Sequence, residues 1–327
     1  MGGPTSSAYP DAPVERDRWI LARRSGRNAV QAGHAYGCLV EEERSESGQV
    51  VTVATIFLSN RECPWRCLMC DLWKNTLTEP VAAGAIPRQI EEALGRLMVH
   101  QPVPRQIKLY NSGSFFDPGA IPPEDYPGIA RRVAGFARVI VESHPALLGD
   151  SCLRFRDLVP GKLEVAMGLE TVHPEVLARL NKRMTVDQFA RAAEFLRRNE
   201  IALRVFILLK PPFLNEGEAL AWARRSVDFA FDCGAEVASL IPTRFGNGAL
   251  EALAERGEFS PPKLSMIEEA VAYGVSLQRG RVFADLWNLE QFSNCQQCFA
   301  GRRERLHELN HTQTVSPAIR CPQCGGD

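Results

Sequence analysis

Residues 60–75 read NRECPWRCLMCDLWKN and place Cys63, Cys67 and Cys70 in the spacing Cys-x3-Cys-x2-Cys. Three thiols this close can converge within one turn of loop. Pro64 disfavours helix at Cys63, so the segment is expected to wrap around a bound object. No histidine lies in the stretch, and within the cysteine loop that starts at Cys63 only Asp71 could assist as a fourth ligand. Zinc takes four ligands, or three and a water. A four-iron cube also takes four thiolates as a rule, so three leave one iron with an open position. That open position gives the missing ligand a functional meaning. The blander readings are zinc with a remote fourth ligand and three unligated thiols. The strand-like run VVTVATIFL (50–58) just before the loop favours the cluster.

Four more cysteines stand near the C-terminus as Cys295-x2-Cys298 and Cys321-x2-Cys324. CPQCG has the form of a zinc knuckle, with Gly325 allowing the tight turn beneath the metal. Two readings stand here, a structural zinc site of four thiolates and an auxiliary iron–sulfur cluster. His307 and His311 lie between the pairs, at a spacing too short for a finger of two cysteines and two histidines. Arg302, Arg303 and Arg305 beside them read as a modest basic patch or a solvated charge run. Cys38, Cys152 and Cys233 stand alone and read as buried, inert side chains.

The elements that would position these groups follow from pattern. The chain of 327 residues is 45% hydrophobic and 24% charged, enough for a folded core. A formal net charge of −1 argues against a nucleic-acid grip built on overall charge. No apolar run of about 18 residues occurs, so no membrane span is expected. MGGPTSSAYPDAP lacks an apolar signal core and reads as a disordered lead-in, so a reducing cytoplasm is expected to house the ten cysteines. From residue 50 onward, strand-like runs alternate with helical ones. The strands are 50–58, QIKLYN (106–111), RVIVES (138–143), KLEVAMGLET (162–171), ALRVFILL (202–209) and EVASLIP (236–242). Helices are expected at IPRQIEEALGRLM, near 125–135, after the N-cap Thr185, and over EGEALAWARRSVDFAFDCG. Six alternations predict an α/β fold of parallel strands with right-handed crossovers, whose chemistry lies at the strands' C-terminal ends. Three units are expected: an N-terminal extension (1–49), a core barrel (50–280) and a C-terminal extension carrying the two Cys-x2-Cys pairs (281–327).

Cys-x3-Cys-x2-Cys after a first strand resembles the signature of the radical S-adenosylmethionine (SAM) enzymes, and the resemblance extends over about residues 50–245. It implies a partial (β/α)6 TIM-type barrel, with a [4Fe-4S] cluster held by Cys63, Cys67 and Cys70. Its open iron would chelate the methionine part of SAM, and reductive cleavage would release a 5′-deoxyadenosyl radical. LYNSGSFFD, VESHP, LEVAMGLET and LLKPPF are similar to the branch containing the elongator catalytic subunit and the archaeosine-forming radical SAM subunit. That branch implies C–N cleavage on a modified tRNA nucleobase, a partner protein that supplies RNA binding, and an electron donor of the flavodoxin or ferredoxin kind. Radical chemistry on a small metabolite or peptide is a second expectation. A third, of another class, is a zinc-dependent nucleic-acid or protein-binding module.

The resemblance also names a SAM shell. Met69 stands where the family places an aromatic residue over the adenine, and a thioether can pack on a flat base. Ser112, Gly113 and Ser114 match the family's Gly-Gly-Glu-like segment, although a serine replaces the acid. Glu170 and Glu142, at strand ends, could accept from ribose hydroxyls. Lys182 or Arg183 could pair with the SAM carboxylate. Lys210 and Pro211 fall where the family lines the adenine pocket, with Lys210 expected to face a closed cavity; Ile241 and Pro242 would finish the slot. The residue that touches the reacting atoms is not legible.

Overall fold

The computed structural model describes residues 8–324. In chain order its elements are α1 (Pro13–Leu21), β1 (Gly37–Arg44), β2 (Val50–Phe57), α2 (Ala85–Leu97), β3 (Gln106–Tyr110), α3 (Tyr126–Val133), β4 (Arg138–Glu142) and α4 (Asp150–Leu158). There follow β5 (Lys162–Glu170), α5 (Pro174–Arg179), α6 (Val186–Arg198), β6 (Ala202–Leu209), α7 (Glu216–Asp232) and β7 (Val237–Pro242). The last are α8 (Ala249–Ala254), α9 (Leu264–Ser276), β8 (Arg281–Ala284) and α10 (Gln296–Thr312). The strands form one sheet in sequence order, β2 to β8 parallel and β1 antiparallel on β2. The barrel is therefore an open half-barrel of eight strands. All six expected strands are present, and β1 and β8 extend the sheet at its two edges. No helix among the described residues is long and apolar enough to cross a membrane.

Two segments depart from expectation. Residues 1–7 of the anticipated disordered lead-in lie outside the described residues, as does Gly325, but Tyr9 is buried with its ring edge-on to Trp19. Its hydroxyl donates to the Arg179 carbonyl at 2.7 Å, so aromatic burial and a long-range hydrogen bond hold this segment in place. The stretch past residue 280, read as loosened, forms β8, whose outer edge would expose unpaired backbone groups. Side-chain amides of α10 and its C-cap cover that edge. Asn310 accepts from Ala284 N–H and donates to Ala284 C=O, and Gln313 does the same to Val282. With helix α10 packed against β1 as well, the gap between the two edge strands is filled by a helix.

Alternation divides each strand between two faces. Ile56, Leu109, Val141, Val165, Ile207 and Leu240 point outward into one apolar core shared with the helices. The concave face is polar. Glu43, Lys108, Arg138, Glu164 and Arg204 lie on it, buried, in a connected ion network. Arg204 bridges Glu43 and Glu164, Arg138 takes the other oxygen of Glu164, and Lys108 meets Glu43 at 2.6 Å. Burial alone would raise both carboxyls, yet the surrounding cations hold Glu43 and Glu164 below the usual carboxylate range. A depressed carboxyl stabilises the fold above its unfolded pKa, and the contribution is lost as pH falls through the folded value. Removing one partner strands the rest. Arg204→Met is expected to destabilise the protein by about 3–5 kcal/mol at pH 7, read from urea unfolding, with the difference shrinking as the pH is lowered below about 4. An unchanged midpoint at pH 7 would refute the network's role.

Candidate functional site

The loop of Cys63, Cys67 and Cys70 leaves the C-terminal end of β2 and packs across the open ends of the neighbouring strands. Two side-chain amides pin its backbone. Asn247 Nδ2 donates to Leu68 C=O at 2.6 Å, while its Oδ1 accepts from Ala249 and Leu250 N–H at the start of α8. Asn181 Nδ2 donates to Arg66 C=O at 2.8 Å and also meets Asp17 of α1. Leu68 N–H reaches Leu180 C=O at 2.9 Å. Trp65 stacks on His144, with ring centroids 3.8 Å apart and planes at 14°. His144 Nδ1 accepts from Ala146 N–H and Nε2 donates to Lys182 C=O, an arrangement that needs a neutral imidazole. Burial and the Lys182 charge push that histidine down to about 4.

All three thiols of the loop are pushed up by burial, Cys67 to about 12. Cys67 and Cys70 also feel the charges of their sister sulfurs. Three thiolates here would repel one another in a poorly solvated place, and they are tolerable only with cations beside them. Lys182 is one such cation, acting on Cys63 and Cys67. The donor set, three soft sulfurs on one loop that feel one another's charge and have Lys182 beside them, fits an iron–sulfur cluster.

Around the loop the structure brings several expected residues together. Glu170 and Lys182, anticipated in separate roles, form one buried ion pair at 2.6 Å. Burial would lower the Lys182 ammonium, but Glu170 and the nearby Cys67 hold it above its usual range. A bulge in β5 between Gly168 and Glu170, with Glu170 at φ 65°, aims the carboxylate at Lys182. Gly168 lies beneath the pair, and a Cβ there would meet both Glu170 Oε1 and Lys182 Nζ, so the ion pair would have to shift to admit one. Gly113 lies against Cys63, where an added Cβ would stand 3.1 Å from the Cys63 Cβ. Ser112, at φ 54°, shares a 2.9 Å hydrogen bond with the Tyr36 hydroxyl, and Ser114 Oγ accepts from His144 N–H at 2.8 Å. Glu142 Oε1 accepts from Asn111 N–H at 2.6 Å and Gly113 N–H at 3.3 Å, bracing the Ser-Gly-Ser turn.

Other expected residues are engaged elsewhere. Arg183 donates to Pro13 C=O and Asp17 of α1. Lys210 donates to Ser260 Oγ at 2.8 Å and Pro261 C=O at 3.3 Å, so its ammonium is held by the loop before α9. Met69 packs among apolar side chains that include Leu180, Leu208 and Phe213. Sequence reading passed over Asn181, Asn247, Tyr36 and the Trp65–His144 stack. Asn247 alone carried a local signal, as an Asn-Gly before the helical run ALEALA.

The second group of thiols is compact. Cys295 Sγ stands 3.8 Å from Cys321 Sγ and Cys298 Sγ 3.7 Å from Cys324 Sγ, with all four sulfurs within 4.8 Å of one another. A tetrahedral metal with bonds of about 2.3 Å sets its sulfurs about 3.8 Å apart, whereas a four-iron cube spreads them over separate irons. Backbone N–H groups of Cys324 and Gln323 draw the Cys321 thiol down to about 7. Neither the basic patch nor the solvated charge run describes Arg302 and Arg305, which are buried. Arg302 and Arg305 are buried on Glu268 of α9, and Arg305 also donates to Ser316 and Pro317 carbonyls; of the three arginines Arg303 is exposed. These bonds anchor the four-thiol group to the barrel.

No family model matches the chain. It is 29% identical to archaeosine synthase subunit beta of Methanosarcina acetivorans over 237 residues, 68% of this chain and 67% of that protein. In fold it is similar to the archaeal Elp3 of Methanocaldococcus infernus, with a TM-score of 0.53 and 13% identity over 72% of this chain and 60% of the other, so it spans less than two thirds of that structure. A radical SAM methyltransferase from Sphaerobacter thermophilus matches with a TM-score of 0.52 and 14% identity over 83% of this chain and 81% of its own. The chain thus has the radical SAM fold and resembles that superfamily in its Elp3 and archaeosine synthase branch.

Two measurements test this geometry. Elemental analysis of the purified protein is expected to find one tetrahedral ion on the four C-terminal thiols, lost in Cys321→Ser; iron and sulfide in cluster ratio at these residues would contradict the spacing. Asn247→Ala is expected to free the backbone around Cys70, read as iron lost several-fold faster from anaerobically reconstituted protein while the circular dichroism spectrum stays unchanged. Equal retention would show that the amide does not position the loop.

Proposed function

We propose that this chain is a radical SAM enzyme that acts on a modified nucleobase of tRNA, in the manner of an archaeosine-type C–N cleavage, and that it draws electrons from a donor of the flavodoxin or ferredoxin kind. The observation that carries the reading is the meeting, at the strands' C-terminal ends, of three clustered thiols with the buried Glu170–Lys182 pair and the Ser112–Gly113–Ser114 turn. The similarity to archaeosine synthase subunit beta supports the substrate class. RNA binding in this reading comes from a partner protein.

Cys63, Cys67 and Cys70 would hold a [4Fe-4S] cluster by three corners, with SAM at the fourth. When bound, this pair supplies a one-electron cleavage of the sulfonium that yields an organic radical able to abstract hydrogen. The chain's own contribution is placement. The Ser112–Gly113–Ser114 turn, braced by Glu142, offers hydroxyl and backbone acceptors to an ammonium. Glu170 would accept from ribose hydroxyls, and Lys182, already oriented by it, would face the SAM carboxylate. Gly168 has no Cβ to part Glu170 from Lys182. The four C-terminal thiols are proposed to hold a structural zinc that clamps α10 and the tail to the barrel.

Anaerobically reconstituted protein is expected to be brown, to bind SAM and to release 5′-deoxyadenosine on reduction. Replacing Cys63, Cys67 or Cys70 by serine is expected to lower that release at least a hundredfold. Mass spectrometry of tRNA incubated with the enzyme and its partner reads the substrate. A protein carrying zinc and no iron after reconstitution would refute the enzymatic reading.

A further inference from the structure

Helix α1 and the segment after it reach the thiol loop without joining the sheet. Trp19 and Ile20 of α1 share one buried cluster with Leu68 of the loop. Past the helix, Arg24 and Arg27 meet Glu62, the residue before Cys63, and Arg66 from inside the loop meets the same carboxylate. Three guanidiniums thus share one acid, and positive charge is left over beside the thiols. Arg66 also donates to the Cys63 and Trp65 carbonyls, at 2.7 Å and 3.0 Å. Its charge is felt at Cys63, and that of Arg24 at Cys67. Arg27 and Arg66 keep part of their side chains in solvent.

Val14, Arg18 and Leu21, at i, i+4 and i+7, form the outer face of α1, opposite the buried Arg16, Trp19 and Ile20. All three are exposed, Val14 by 60% and Leu21 by 45%. Arg18 makes no ion pair among the described residues. Apolar side chains interleaved with arginine are the composition of a protein interface. The rings beside these arginines are already covered. Arg23 lies 3.6 Å over Trp19 and Arg24 4.6 Å over Trp73, and both indoles are buried. They leave no face on which a single-stranded nucleic acid could stack its bases, so an acidic protein fits this surface better.

We propose that this face, formed by Val14, Arg18, Leu21, Arg24, Arg27 and Arg66, docks the electron carrier, a small protein with an acidic surface and a one-electron centre. The inference rests on the enzymatic reading above and gives its donor a place to bind. Carboxylates of the carrier would answer the arginines that Glu62 alone leaves unbalanced, and its surface would cover Val14 and Leu21. The carrier's reduced flavin or iron–sulfur centre would lose one electron, and the cluster held by Cys63, Cys67 and Cys70 would gain it.

Isothermal titration calorimetry of the anaerobically reconstituted, full-length protein against a flavodoxin and a two-iron ferredoxin, both acidic, tests it. At least one carrier is expected to bind, and to bind more weakly as salt is raised. Arg18→Glu is expected to weaken that binding about fivefold, and Arg18→Glu combined with Arg27→Gln about tenfold. Arg198→Glu, exposed at the end of α6, is expected to change nothing. Release of 5′-deoxyadenosine is expected to fall in Arg18→Glu when the carrier supplies electrons and to stay unchanged when dithionite does. Binding of neither carrier, an equal loss in Arg198→Glu, or a loss of transfer RNA binding in Arg18→Glu with carrier binding intact overturns the proposal; the Arg18 variant decides even where the double variant fails to fold. A protein that cleaves SAM with dithionite yet holds neither carrier sinks this inference alone, and one that holds a carrier through Arg18 yet contains no iron supports the docking face while sinking the enzymatic reading.

Discussion

A charge taken out of water must find an opposite charge, and on the concave side of an open half-barrel that constraint decides where almost every polar side chain sits. Outward positions are satisfied by packing against helices, but inward positions carry Glu43, Lys108, Arg138, Glu164 and Arg204, and each is paired. The same requirement shapes the mouth. Glu170 and Lys182 meet over a glycine that has no Cβ to part them, and the cation also lies within the field of the thiols. At the C-terminus, Glu268 answers two buried arginines and so ties the four-thiol group to α9.

From this follows a division of labour among layers. The lowest layer of ion pairs links β1, β4, β5 and β6 across the concave face. Above it lie the rings of Tyr36, Phe57, Tyr110 and Phe206, with Tyr110 and Phe206 meeting from strands that are not neighbours, and the thiol loop follows the end of β2. The loop is irregular, and its shape depends on amides borrowed from distant elements: Asn181 before α6 and Asn247 before α8. Such borrowed donors satisfy carbonyls that secondary structure leaves over. They also couple the loop to α1, because Asn181 and Arg183 both meet Asp17.

Much of this was legible in the residues. Six strands, the N-cap at Thr185 and the two cysteine groups are local patterns, and the fold contains them all, Thr185 with a capping box to Gln188 besides. What escaped reading was non-local. The short strand β8 has four residues and no alternating pattern of its own, and it is a strand because β7 lies on one side and the amides of Asn310 and Gln313 on the other. The arginines near the C-terminal cysteines look solvated in sequence because Glu268, their partner, is more than thirty positions away. Lys210 and Arg183 looked free for the same reason, and each is held by a residue from another part of the chain.

The residues alone determined which atoms are present and in what spacing: three thiols on a loop after a strand, two pairs of thiols at the end, carboxylates at strand ends. Spacing along a chain limits reach, so these groups could be predicted to converge locally. Only the tertiary structure decided which charges meet. Whether a lysine serves a ligand, a carboxylate or a carbonyl depends on partners tens of residues distant, and electrostatic energy inside a folded chain is set by separation in space and by exclusion of water, neither of which sequence order contains.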